Sequence, residues 1–252
     1  MTTTRASLRI EPSQEILTAT RHWLAAVRTA IGGDFLSCYL TGSVLTQGFD
    51  LKRSKVNVLI VARSLGSDAL DALSRSLPEG KKAPTFDPLF MTHSQIRKSL
   101  DSFPIEWLEI QETHLLIEGQ DVLHDLEVPR TYLRLQCEHE LRSRLIQLRQ
   151  IYIAKGRHPD QLEPALRASA SSFATLFRTL VRLSGESPPA DAPHVIERVA
   201  DLFQLDAEAL LGAYLVRYTE RRYRGAEIAT LFRRFLVEVE RLVAAIDELR
   251  VA

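Results

Sequence analysis

Five residues between positions 42 and 87 are of types that can handle a phosphate. Gly42 and Ser43 adjoin at the end of an apolar run; Lys55 and Asn57 are separated by one residue; Asp87 lies further on. A glycine lets a ligand come close to the backbone, and a serine offers a hydroxyl and an amide N–H to a phosphate oxygen. In an extended strand side chains repeat with period two, so Lys55 and Asn57 share a face. Lys55 supplies a positive charge with no lone pair for a metal, and Asn57 supplies one neutral carbonyl oxygen. Asp87 is the sole carboxylate of its segment, TFDPLFMT over residues 85–92. Each is of a type that could contribute to a phosphate or nucleotide site. A plainer reading is open too: a tight Gly-Ser turn beside a solvated lysine.

Helices and strands must place these side chains. Ile16, Leu17, Leu24, Val27 and Ile31 recur at helical spacing over residues 11–31, and Gly32-Gly33 stops the pattern. Phe35 to Thr41 predicts a short apolar strand, followed by a turn to Gly48. Val56 to Ala62 is almost wholly apolar, as befits a strand covered on both faces. A helix is expected over 67–77, with Leu70, Leu73 and Leu77 on one side, and then a solvated loop, PEGKKAP. Residues 85–92 predict a third strand in which Pro88 marks an edge or a bulge. Thr92 caps a helix over 93–101. Pro104 to Thr113 predicts a fourth strand, and the apolar run from His114 ends at Gly119.

Beyond Pro129 the pattern is helical. Residues 130–154 read as one long helix, with Leu133, Cys137, Leu141, Leu145, Leu148 and Tyr152 on its apolar stripe. Further helices are predicted over 160–184, 192–203, 206–218 and 225–250, broken by GESPPADAP and Gly225. Strands with helices first and helices alone afterwards imply two domains, 1–128 and 129–252.

The stretch from Tyr39 to Ala62 resembles the core motif of the nucleotidyltransferase superfamily, which has the polymerase-beta-like fold. There a strand ends in Gly-Ser and a second strand carries Asp-x-Asp ahead of an apolar run. Gly42-Ser43 stands at the Gly-Ser, Gly48 suits the turn after it, and Ser54 stands where the family often has a serine. The two carboxylate positions fall on Lys55 and Asn57. The resemblance implies an α+β chain: a nucleotidyltransferase-like mixed sheet flanked by helices, followed by an all-α helical bundle. It also implies a transferase whose paired aspartates hold divalent ions about 3.5–4 Å apart. With Lys55 and Asn57 in those places, the expectation is a catalytically degenerate relative that binds a nucleotide or phosphate, or a partner. The alternative is an active, Mg²⁺-dependent transferase acting on a small molecule, protein or RNA. Asp50 does not restore the pair: it falls in a loop and has no second aspartate two residues on.

Other clusters carry less. Helical bundles of the HEPN type cleave RNA with an Arg and a His a few residues apart, and Arg134 and His139 match that spacing. A surface arginine and a half-buried histidine match it equally. Arg217, Arg221, Arg222 and Arg224 with Tyr214, Tyr218 and Tyr223 form a basic aromatic segment, read mainly as pairing with Glu220 and Glu227. Arg142, Arg144 and Arg149 are matched by Glu138 and Glu140. Glu106, Glu109 and Glu112 split between faces on a regular strand. His93, His114, His124, His158 and His194 show no metal-ligand spacing, and no P-loop or dinucleotide fingerprint is present.

The chain of 252 residues has 32 basic and 32 acidic side chains, so it is not a generic polyanion binder and a nucleic-acid partner is not expected. No apolar run approaches the ~20 residues that span a bilayer, and the N-terminus lacks the apolar core of a signal peptide. Cys38 and Cys137 are far apart, which favours buried thiols and a reducing cytoplasm. No cofactor is expected, save Mg²⁺ under the transferase alternative. A protein partner or a second copy of the chain is the remaining partner class.

Overall fold

A serine starts the fold. Ser13 accepts a hydrogen bond from the Ile16 N–H at 3.4 Å and caps α1, Gln14–Ile31, which Gly32 ends. Trp23, Leu24 and Val27 form its buried face. The structure, a computed structural model, describes residues 10–46, 49–51, 54–78, 84–170, 172–218, 223 and 225–249. The chain divides into two compact units, Met1–Val128 and Pro129–Ala252.

In the first unit the strands are β1 (Phe35–Thr41), β2 (Val56–Ala62), β3 (Phe86–Thr92) and β4 (His114–Gly119), in the order β3-β2-β1-β4. β1 pairs antiparallel with β2 and β4, while β2 and β3 are parallel. The sheet is therefore mixed, and Pro88 lies on its edge strand, where a missing N–H leaves no central ladder bond open. Each face has its own core. Cys38, Leu40, Val58 and Ile60 pack with α1 on one side, where Trp23 stacks on Phe86 with ring centroids 4.9 Å apart. Tyr39, Leu59 and Val61 pack with Ile96, Trp107 and Leu123 on the other.

The helix α2, Ser67–Ser74, is shorter than expected; it buries Leu73 and leaves Leu70 exposed, and Leu77 lies beyond its end, also exposed. Thr92 caps α3, His93–Lys98, in a reciprocal box with Gln95. Residues 104–113 depart from the sequence expectation. Pro104–Glu112 is a helix, α4, and the fourth strand begins only at His114. Proline at the first helical position has its φ pre-set for a helix and no N–H to waste. Trp107, Ile110 and Gln111, at i, i+3 and i+4, then form the inward face. Trp107 and Ile110 join the core, and the Gln111 amide donates to the Leu126 carbonyl at 2.6 Å. Glu106, Glu109 and Glu112 accordingly lie on a helix, not on two faces of a strand.

The described part of the second unit holds α5 (Arg130–Lys155), α6 (Leu162–Ala170), α7 (Phe173–Leu183), α8 (Ala192–Phe203), α9 (Ala207–Leu215) and α10 (Gly225–Glu248). The single helix expected over 160–184 is two. Both the backbone N–H and the hydroxyl of Ser172 donate to the Ser169 carbonyl, at 3.1 and 2.8 Å, which favours a turn over continuation. α5 and α10 are tied by Arg142 to Asp247 at 2.8 Å and by Arg149 to Glu240 at 2.9 Å. Arg149 thus reaches across to α10 and not to an acid of its own helix. Arg221, Arg222 and Arg224 of the basic aromatic segment, with Glu220, lie outside the described residues. Among the described residues no helix is long and apolar enough to cross a membrane.

Asp191 caps α8: it accepts from the His194 N–H at 3.1 Å and lies 2.7 Å from the His194 Nδ1. The hydrogen bond and charge of Asp191 raise His194 above its ordinary 6.5. The bonds from His194, backbone first, hold Asp191 below its ordinary 3.8. A raised histidine stabilises the fold fully below pH 6.5 and ceases to as pH rises through its folded value. A lowered aspartate contributes above pH 3.8 and ceases to as pH falls through its own. NMR titration of His194 is expected to give a midpoint above 6.5, which moves down in Asp191→Asn. An unmoved midpoint contradicts the pairing.

Candidate functional site

The five residues singled out from sequence meet at one end of the sheet. Thr41 ends β1 opposite Asn57 near the start of β2, and Asn57 is in register with Asp87 on β3. On the other side Thr41 pairs with His114, the first residue of β4. Asp87, Asn57, Thr41 and His114 thus form a row across all four strands, spaced by about 4.8 Å per strand. They share the face that carries Tyr39 and Leu59 further in. Lys55 lies one pleat beyond Asn57, and its Nζ is 3.5 Å from the Asp87 Oδ1.

Gly42 turns the chain away from the end of β1 into a short 3₁₀ turn, Gly42–Leu45. Its φ of +69° suits glycine, and its N–H donates to the Thr113 carbonyl at 3.1 Å. A methyl group at this position would sit 3.2 Å from the Asn57 Nδ2. The missing side chain is therefore what admits the Asn57 amide beside the turn. Ser43 follows and is exposed. Val44 and Leu45 are buried and anchor the turn from below.

The site is open to water. The side chains of Lys55 and Asp87 are 61% and 59% exposed, so their ion pair is worth about 0–1 kcal/mol. One ammonium, one amide and one carboxylate make up this cluster. These residues do not fit a pair of divalent ions. Magnesium takes oxygen ligands, preferably anionic, and an ammonium beside the lone carboxylate repels it. Among the described residues no three His, Cys, Asp or Glu side chains are grouped to hold a metal ion.

Thr41 and His114 were not singled out by sequence. Thr41 carries the strand alternation of Tyr39 up to Gly42, a signal that was present. A strand over 104–113 would leave His114 past its end; with Pro104–Glu112 helical, His114 opens β4. Its Nδ1 lies 3.0 Å from the Ile110 carbonyl and 2.9 Å from that of Gln111. Carbonyls only accept, so Nδ1 carries a proton. The ring also meets Tyr39 edge-on at 5.4 Å.

Arg134 and His139 are not brought together as a site. Residues five apart on a helix diverge by about 140°. Arg134 is half-buried and donates to Glu138 and to the Ile246 carbonyl, both at 3.1 Å. His139 is exposed. The expected burial of the two is reversed, because Arg134 is committed to holding α5 against α10.

Comparison with solved structures finds likeness in fold. The crystal structure of spectinomycin adenyltransferase AAD(9) from Enterococcus faecialis, with ATP and spectinomycin, superposes with a TM-score of 0.52 at 13% identity. The match covers 88% of this chain and 98% of that one. The fold is nucleotidyltransferase-like. It comprises the mixed four-stranded sheet with its helices and a largely helical C-terminal region. No protein-family model matches the sequence, and no curated protein matches it. At this identity the likeness concerns fold alone.

Proposed function

We propose that the first unit is a nucleotide- or phosphate-binding domain on a nucleotidyltransferase-like scaffold, and that metal-dependent transfer has been lost from it. The observation that carries this is the Lys55 ammonium 3.5 Å from Asp87, in the place of a metal ligand. Asn57 beside Gly42 supplies a neutral amide in the second such place. The ammonium replaces part of the charge of the absent ion, while Gly42 and Ser43 offer backbone approach and a hydroxyl. The solved relative was crystallised with ATP, which supports a nucleotide as the ligand class. The helical second unit is read as a separate domain.

Calorimetry with nucleoside triphosphates, in EDTA and then in Mg²⁺, tests the proposal. Binding is expected in EDTA, with no gain on adding the metal. Tight binding that requires Mg²⁺ overturns it.

One observation favours a second reading, a working transferase: the likeness to AAD(9) extends over 88% of this chain. Labelled nucleotide transfer that disappears in Asp87→Ala establishes that reading. No transfer across a broad acceptor screen retires it.

A further inference from the structure

We propose that the Lys55 ammonium makes the site prefer free polyphosphate anions to their magnesium complexes, and that Asp87 is a built-in counter-ion that competes with the ligand for Lys55 and moderates that preference. The inference rests on the reading of this edge as a phosphate site. In a metal-dependent transferase a carboxylate here draws the metal–nucleotide complex in. With an ammonium in the neighbouring position its effect changes sign. Asp87 holds Lys55 in an exposed pair and presents a negative charge to any incoming anion.

Because the pair is largely in water, it is weak enough for a dianion to displace. The Lys55 side chain then turns from one oxygen of Asp87 to the phosphate, and Asp87 is left to repel its second charge. Asn57 adds a neutral amide donor beside Gly42, where it neither attracts nor repels a metal. A pyrophosphate group complexed by Mg²⁺ has lost most of the charge that Lys55 recognises. The uncomplexed anion retains it. The ligand class is therefore a polyphosphate, inorganic or at the end of a nucleotide, in its metal-free form.

Pyrophosphate in EDTA at low salt is the probe, titrated into the full chain. Asp87→Asn is expected to bind about fivefold more tightly than the unaltered protein, the factor for one charge near 4 Å in water. Asp87→Glu keeps the charge and is expected to show little or none of that gain. Lys55→Ala is expected to bind no pyrophosphate, and Mg²⁺ is expected to weaken binding to the unaltered protein. Both side chains are exposed, so circular dichroism is expected to be unchanged in all three variants. Weaker binding in Asp87→Asn, or stronger binding with Mg²⁺, overturns the inference. If the unaltered protein binds and Asp87→Asn binds equally, the phosphate site stands and the counter-ion role falls. If neither binds, the phosphate site falls with it.

Discussion

Gly119→Ala is expected to destabilise the first unit by about 4 kcal/mol, an exceptional loss for one methyl group. Gly119 ends β4 opposite Ser37, next to a register shift in which Cys38 pairs with Glu118 and Tyr39 with Leu116. Ile117 is thus an extra residue on β4, the mark of a bulge. The glycine adopts φ +98°, and an added Cβ would lie 2.0 Å from the Leu36 carbonyl oxygen and 2.8 Å from the Ser37 Cα. Both are backbone atoms of β1, the inner strand next to it, so no side-chain rotation relieves the clash. The same Leu36 oxygen accepts the Gln120 N–H at 3.0 Å, and the Tyr39 hydroxyl accepts the Val122 N–H at 2.7 Å. Displacing Gly119 strains that whole connection. Urea unfolding measures the loss, with Gly33→Ala as control, since a Cβ there meets nothing within 4 Å. A loss below about 1 kcal/mol for Gly119→Ala contradicts the described bulge.

Glu238→Ala is expected to cost the helical unit about 2–4 kcal/mol. Glu238 is a buried carboxylate on α10, 4% exposed. Its Oε2 accepts the Asp206 N–H at 3.0 Å, and its Oε1 accepts from Arg241 at 3.1 Å. Asp206 in turn caps α9 through the Ala209 N–H at 3.1 Å and takes Arg234 at 2.7 Å. Truncation leaves the Asp206 N–H without its acceptor and opens a void beside the cap. Arg241, mostly exposed, recovers water and adds little. Glu238→Gln keeps the shape and an accepting oxygen, so a loss of about 1 kcal/mol is expected there. Equal losses in the two variants would show that burial of the charge, not the accepted N–H, decides the outcome.

The placement of Lys55 and Asn57 was legible in sequence because it follows from strand periodicity. Val56 to Ala62 reads as a strand from its own residues, and that places Lys55 and Asn57 on one face without any knowledge of the rest. Asp87 can be named as the carboxylate of the third strand, but its distance from Lys55 is not legible locally. The 3.5 Å approach of Asp87 depends on β2 and β3 being parallel neighbours in register, a long-range choice. Residues 104–113 failed for a local reason. Ile105 and Trp107 imitate alternation, and only the contacts of Trp107, Ile110 and Gln111 reveal the helical period. The split of the 160–184 helix was signalled by Ser172, whose hydroxyl competes for a backbone carbonyl. That signal is outweighed by the continuous apolar stripe around it.

Trp23 and Trp107, on opposite faces of the sheet, are the two tryptophans of the chain, and both belong to the first unit. Indole emission excited near 295 nm consequently reports on that unit alone. Far-ultraviolet ellipticity, dominated by helices, is weighted toward the second. A denaturation followed by both signals separates the two melting events in unlabelled protein, and coincident curves would mean that the halves unfold as one.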